Sequence, residues 1–111
     1  MTRDVRLYLE DISNAIKEIE EFLKDLSFDD FAKNTQAIRA VTMDFVIIGE
    51  AAKHLPVETR RKHPLISWSR IVGMRNILTH EYPETDIQIL WMTAKKRLPE
   101  LKKAVNELLC E

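Results

Sequence analysis

Apolar residues recur at three- and four-residue steps along almost the whole chain, and this spacing constrains the fold more than any other feature. Val5, Tyr8, Leu9, Ile12, Ala15, Ile16, Ile19, Phe22, Leu23 and Leu26 form the first such series. They predict an amphipathic helix over about residues 3–26. With only two glycines and four prolines in 111 residues, the chain has few places to turn tightly. Long helices with few connections follow, in one domain over residues 1–111 with a single core.

Ser27 to Asp30 interrupt the first series, and Asp29 or Asp30 can cap the next helix. A second helix is expected from about Phe31 to Leu55. Ile38, Val41, Phe45, Ile48, Gly49 and Ala52 form its core stripe, and Met43, Val46 and Ile47 a second apolar edge nearly opposite. Two edges imply burial on two sides, by a homodimer or by the chain's own elements. Gly49 costs this helix about 1 kcal/mol relative to alanine, tolerable if another helix packs closely there.

Pro56 and Pro64 bracket VETRRKH, a short basic segment that Pro56 can start as a helix. Arg60, Arg61 and Lys62 read as a solvated face, or alternatively as contacts to RNA phosphates. Ser67 can cap a third main helix beginning at Trp68. A last one starts near Asp86 with Thr85 as cap, carrying Ile87, Leu90, Trp91, Ala94, Leu98, Leu101, Val105 and Leu108. Pro99 falls inside this stripe and should kink it near residues 95–99. The fold class is all-α: an up-and-down bundle of four main helices plus a short connecting helix.

Charge excludes some functions. The net charge of −1 argues against coating nucleic acid by bulk electrostatics. Residues 1–54 carry 7 basic and 11 acidic side chains, and residues 55–111 carry 10 and 7, so a phosphate-bearing ligand should prefer the C-terminal half. The single cysteine, Cys110, allows no internal disulfide and fits a reducing cytoplasm. The N-terminus is charged from residue 3, unlike a signal peptide. The longest uncharged apolar run, 45–48, is too short to span a bilayer.

The chemistry gathers in RNILTHEYP, residues 75–83. On a wheel of about 100° per residue, Trp68, Ile71, Val72 and Leu78 share one face with Arg75 in its middle. Gly73, Asn76 and His80 lie on the adjoining flank, Asn76 and His80 one turn apart. Pro83 turns the chain out of the helix at Glu81–Tyr82. His80 thus sits in the last turn, where the helix dipole favours a protonated imidazole that can give and take protons. The plainer alternative is that Arg75 snorkels or pairs with a carboxylate such as Glu50, and that His80 is a surface residue. His54 and His63 lack partners at metal-ligand spacing, so no metal site is expected. No phosphate-binding glycine loop and no nucleophilic Ser or Cys motif is present, and no cofactor is implied.

GMRNILTHEY resembles the signature of the HepT-like branch of the HEPN superfamily, small helical ribonucleases. That signature is Arg, four residues, His, one residue, Tyr, met here by Arg75, His80 and Tyr82, with Asn76 at the polar position after the arginine. IIGEAAKHLP, SWSRIVGMRN, Asp86 and Trp91 extend the likeness along most of the chain. Thr79 stands where an aliphatic residue is more usual, and Pro83 where an aromatic is common. The resemblance implies a HEPN-like homodimer with the two motifs facing across a cleft. It also implies a metal-independent endoribonuclease acting as the toxin of a toxin–antitoxin pair. Arg75, His80 and Asn76 would be catalytic, and Tyr82 would accept AMP from an MNT-type nucleotidyltransferase antitoxin. A helical module that dimerises and docks a nucleotidyltransferase or a nucleotide without cutting RNA is the alternative.

Overall fold

The computed structural model describes residues 1–81 and 86–111, and within them not the side chains of residues 77 and 79–81. The described residues form seven helices and no strands. Helix α1 (Arg3–Leu23) is capped by the Thr2 hydroxyl, which accepts from the Val5 N–H. Its apolar stripe, Leu9, Ile12, Ile16 and Ile19, is essentially without solvent contact. The helix stops at Leu23, short of residue 26, because Ser27 starts the next one.

The expected second helix is two. Helix α2 (Phe28–Lys33) is opened by a reciprocal capping box, in which the Ser27 hydroxyl accepts from the Asp30 N–H and the Asp30 carboxylate from the Ser27 N–H. Ser27, not an aspartate, is therefore the cap. Asn34 then leaves helical geometry, and its side-chain carbonyl accepts from the Ala37 N–H to open α3 (Thr35–Lys53). The break drops the Phe31 ring, fully buried, against Trp91 at 5.5 Å.

Helix α3 is the centre of the fold. It packs along α1 on one side and α5 (Trp68–Glu81) on the other. Between α3 and α5 lies α4 (Val57–Arg61), and the Trp68 indole donates to the carbonyls of Arg60 and His63, tying α4 to the start of α5.

The last stripe is also divided, into α6 (Ile87–Lys96) and α7 (Leu98–Leu109), which packs back on α1. Arg97 is the joint, and Pro99 occupies the first turn of α7, where its missing N–H leaves no bond unmade. The cap of α6 is the Asp86 carboxylate, which accepts from the Gln88 and Ile89 N–H groups. Thr85, expected in that role, lies outside the described residues. Among the described residues, no helix is long and apolar enough to cross a membrane.

Candidate active site

The site begins with a missing side chain. A Cβ on Gly49 would lie 2.5 Å from the Arg75 Cβ and 3.0 Å from the Ile71 carbonyl oxygen. Only glycine lets α3 and α5 cross this closely, and the crossing fixes where Arg75 leaves the α5 backbone. Trp68 and Leu78 are buried on the same face of α5, with Ile71 and Val72 half-buried. Arg75 therefore stands in an apolar seam, as its wheel position predicts.

Its side chain runs out of the seam to α3. Arg75 Nε lies 2.9 Å from Glu50 Oε2 as an ion pair without hydrogen-bond alignment, and neither of these atoms has appreciable solvent contact. Arg75 NH1 donates to Asn76 Oδ1 at 2.9 Å. The guanidinium, charged at any physiological pH, is thus gripped from two helices while about a third of the side chain faces solvent. The pairing with Glu50 is the one the plainer reading anticipated.

The other Glu50 oxygen, Oε1, is 3.4 Å from His54 Nε2, one turn further along α3. The His54 ring stacks on Tyr8 of α1 at 5.0 Å with 16° between the planes. A polar chain, Tyr8–His54–Glu50–Arg75–Asn76, therefore joins three helices. Sequence reasoning passed over Tyr8 and His54. The i, i+4 spacing of Glu50 and His54 was the available signal for half of it.

Glu50 and His54 continue the outer stripe of α3 that begins with Met43 and Ile47. Those two are 59% and 38% exposed, and Val46 beside them is half-buried. The second apolar edge expected on this helix thus lies on the surface of the single chain, in line with the charged groups.

His80 lies in the last turn of α5. Its side chain, Tyr82 and Pro83 lie outside the described residues, so the structure brings together Arg75 and Asn76 of the motif. The basic residues of α4 are not equivalent. Arg60 donates to the Leu55 carbonyl at 3.1 Å and the Lys53 carbonyl at 3.2 Å, closing the C-terminal end of α3. Lys62 pairs with Glu111, and Arg61 is exposed. His63 is 3.6 Å from Glu107. Among the described residues, no three His, Cys, Asp or Glu side chains cluster as metal ligands.

A cleft of about 390 Å³ opens between α5 and the α6–α7 joint, lined by Ile66, Arg70, Ile71, Gly73, Met74 and Arg97 among others. Among the described residues its lining includes neither Arg75 nor Asn76. The cleft is mostly apolar, whereas the convergent polar groups sit at Arg75, and chemistry decides for the latter.

Comparison with known proteins agrees with the motif. Residues 12–108 match the family "Ribonuclease HepT-like". The chain is 44% identical over 104 residues to a protein of Caldanaerobacter subterraneus subsp. tengcongensis named "Putative RNase", covering 94% of this chain and 93% of that one. It is 41% identical over 108 residues to the "Probable ribonuclease HepT" of Thermococcus cleftensis, covering 97% and 98%. A Methanocaldococcus jannaschii protein also named "Putative RNase" is 38% identical over 104 residues, covering 94% and 95%. No solved structure matches. With the motif, the all-helical fold and these matches over nearly the full length of each chain, the protein belongs to the HepT-like ribonuclease family.

Proposed function

We propose that the chain is a metal-independent endoribonuclease, the cytoplasmic toxin of a toxin–antitoxin pair whose partner is an MNT-type nucleotidyltransferase. The observation that carries this reading is the placement of Arg75. A permanently charged guanidinium is held beside Asn76 at a helix crossing, one and a half turns before His80. RNA brings its own nucleophile, the 2′-OH. His80 takes the 2′-OH proton as the oxygen attacks phosphorus. The 5′-oxygen leaves with a proton from water or from the partner subunit's histidine. Arg75 neutralises the charge that develops on the phosphorane oxygens, where a fixed cation is most effective. Asn76 orients these groups. The products are a 2′,3′-cyclic phosphate and a 5′-OH.

The active unit is a homodimer, with the exposed Met43–Ile47 strip of α3 covered by a second copy and two motifs facing each other. Tyr82 lines the cleft and accepts AMP from the antitoxin. Arg61 remains available to a flanking phosphate, whereas Arg60 and Lys62 would have to leave the partners they hold.

The decisive experiment incubates the purified chain with total RNA in EDTA and analyses the fragment ends. Cyclic phosphate and 5′-OH ends are expected. Arg75→Ala and His80→Ala should each abolish cleavage with the dimer intact, and Asn76→Ala should weaken it less. Full activity in His80→Ala, or dependence on a divalent metal, would refute the mechanism. One observation favours a second reading, a non-catalytic dimerisation module that docks a nucleotidyltransferase or nucleotide. Arg75 already has a carboxylate partner in Glu50. A chain that dimerises and binds the nucleotidyltransferase but leaves RNA intact would establish that reading instead.

A further inference from the structure

The Glu50 carboxylate faces two ways. One oxygen meets Arg75 Nε at 2.9 Å and the other meets His54 Nε2 at 3.4 Å, with His54 held against the Tyr8 ring. A carboxylate beside a phosphate-binding arginine is costly on simple electrostatic grounds, because it repels the anion the arginine is meant to receive. Its geometry suggests a use that outweighs this cost. Arginine has a flexible stem whose rotamer freedom must largely be lost when the guanidinium is fixed on a phosphorane. Glu50 Oε2 lies against the guanidinium at Nε as a buried ion pair without the alignment of a hydrogen bond, and Asn76 Oδ1 accepts from NH1. Among the described residues, contacts from two helices therefore restrict the group before any ligand arrives. The Arg75 stem is also confined at its root, where Gly49 lets the α5 backbone touch α3.

We infer that Glu50 is a positioning residue for Arg75, with His54 and Tyr8 holding the Glu50 carboxylate in place. The inference rests on the ribonuclease reading above for its catalytic consequence. The orientation of Arg75 can be read without it.

Two measurements test this on the full chain. The first is hydrogen exchange of the arginine Nε–Hε groups by 1H–15N NMR, with the Arg75 signal identified by its loss in Arg75→Lys. In the wild type this proton should exchange more slowly than those of exposed arginines such as Arg3. In Glu50→Ala it should exchange faster than in the wild type, and the isosteric Glu50→Gln should fall between. The second is the kinetics of RNA cleavage. A misplacement of about 1 Å costs on the order of 100-fold in rate, so kcat should drop by about 10- to 100-fold in Glu50→Ala. KM should stay level or fall, because a negative charge has left the path of the RNA. A general loss of structure would not split the two constants in that way. His54→Phe, which keeps a ring on Tyr8 but loses Nε2, should move both readouts in the same direction by a smaller amount.

An Arg75 Hε that exchanges as fast as exposed ones in the wild type, or is unaffected by Glu50→Ala, overturns the inference. So does a kcat that is unchanged or raised, which would make Glu50 a competitor of the phosphate. If the wild type cuts no RNA, the ribonuclease reading fails, and the exchange measurement still decides whether Glu50 positions Arg75.

Discussion

The two glycines of this chain both sit inside helices, and they should respond to the same substitution with opposite signs. In a helix interior, Gly→Ala ordinarily stabilises by about 0.5–1 kcal/mol, through lower chain entropy in the unfolded state and better helix propensity. Gly73 meets that condition. Among the described residues nothing lies within 4 Å of the position a Cβ would take, so Gly73→Ala should stabilise by that amount.

Gly49→Ala should not. The methyl group would lie 2.5 Å from the Arg75 Cβ, 3.0 Å from the Ile71 carbonyl oxygen and 3.3 Å from the Arg75 Cα. None of these is the tip of a flexible side chain. Relief to an ordinary contact requires α5 to retreat from α3 by on the order of 1 Å. Overpacking of this kind costs about 1–3 kcal/mol, and with rigid neighbours the upper end applies. After the gain in helix propensity, a net loss of about 2 kcal/mol remains. For a domain of this size that lowers Tm by about 8 °C. The same retreat carries Arg75 away from Glu50, so RNA cleavage should fall by about 100-fold even where the protein is fully folded. Urea denaturation and cleavage kinetics on both variants provide the test. A Gly49→Ala protein as stable as Gly73→Ala, with wild-type kcat, would refute the close crossing and the argument that it sets the arginine.

Much of this arrangement is written in the chain, but unevenly. The 3.6-residue period located the long helices and the apolar face around Arg75, because burial of a continuous stripe leaves few alternatives, and Pro56 marked the start of the short segment after it. Even the Glu50 partner of Arg75 was within reach. The break at Arg97 falls within residues 95–99, where Pro99 predicts a kink, because a proline removes the bond to the carbonyl four residues back. The break at Asn34 was not placed, because asparagine does not forbid a helix and its capping of α3 shows only in the structure. Ser27 with Asp30 three residues later is a capping-box pattern that could have set the start of α2. Tyr8 stacked on His54 had no local signal, since the two are brought together only by the packing of α1 on α3. Asp44 carried a signal that went unread, a lone acid in the apolar run VTMDFVIIG.

Three further outcomes are expected. Light scattering should give about twice the 13.0 kDa chain mass for the wild type and the chain mass for Met43→Glu/Ile47→Glu; a monomeric wild type would remove the composite cleft. With an MNT-type nucleotidyltransferase and Mg-ATP, intact-mass spectrometry should show AMP added to the wild type, with loss of cleavage, and none added to Tyr82→Phe; equal labelling of both would reject Tyr82 as the acceptor. The last concerns pH. Asp44 on α3 is 3% exposed, and burial, followed by the hydrogen bond to and repulsion from Glu18 of α1, raises its carboxyl from 3.8 to about 7. Because the folded value lies above the unfolded one, the native state holds a proton that the unfolded chain releases. The stability from that proton is complete below about pH 4 and is lost as pH rises through about 7. The full difference is on the order of 4 kcal/mol. Asp44→Asn keeps a neutral amide facing Glu18 and carries no titration, so its urea midpoint should stay level between about pH 5 and about pH 8 while the wild-type midpoint falls. Wild-type and Asp44→Asn midpoints that run parallel across that window would show that the Asp44 proton does not hold α1 against α3.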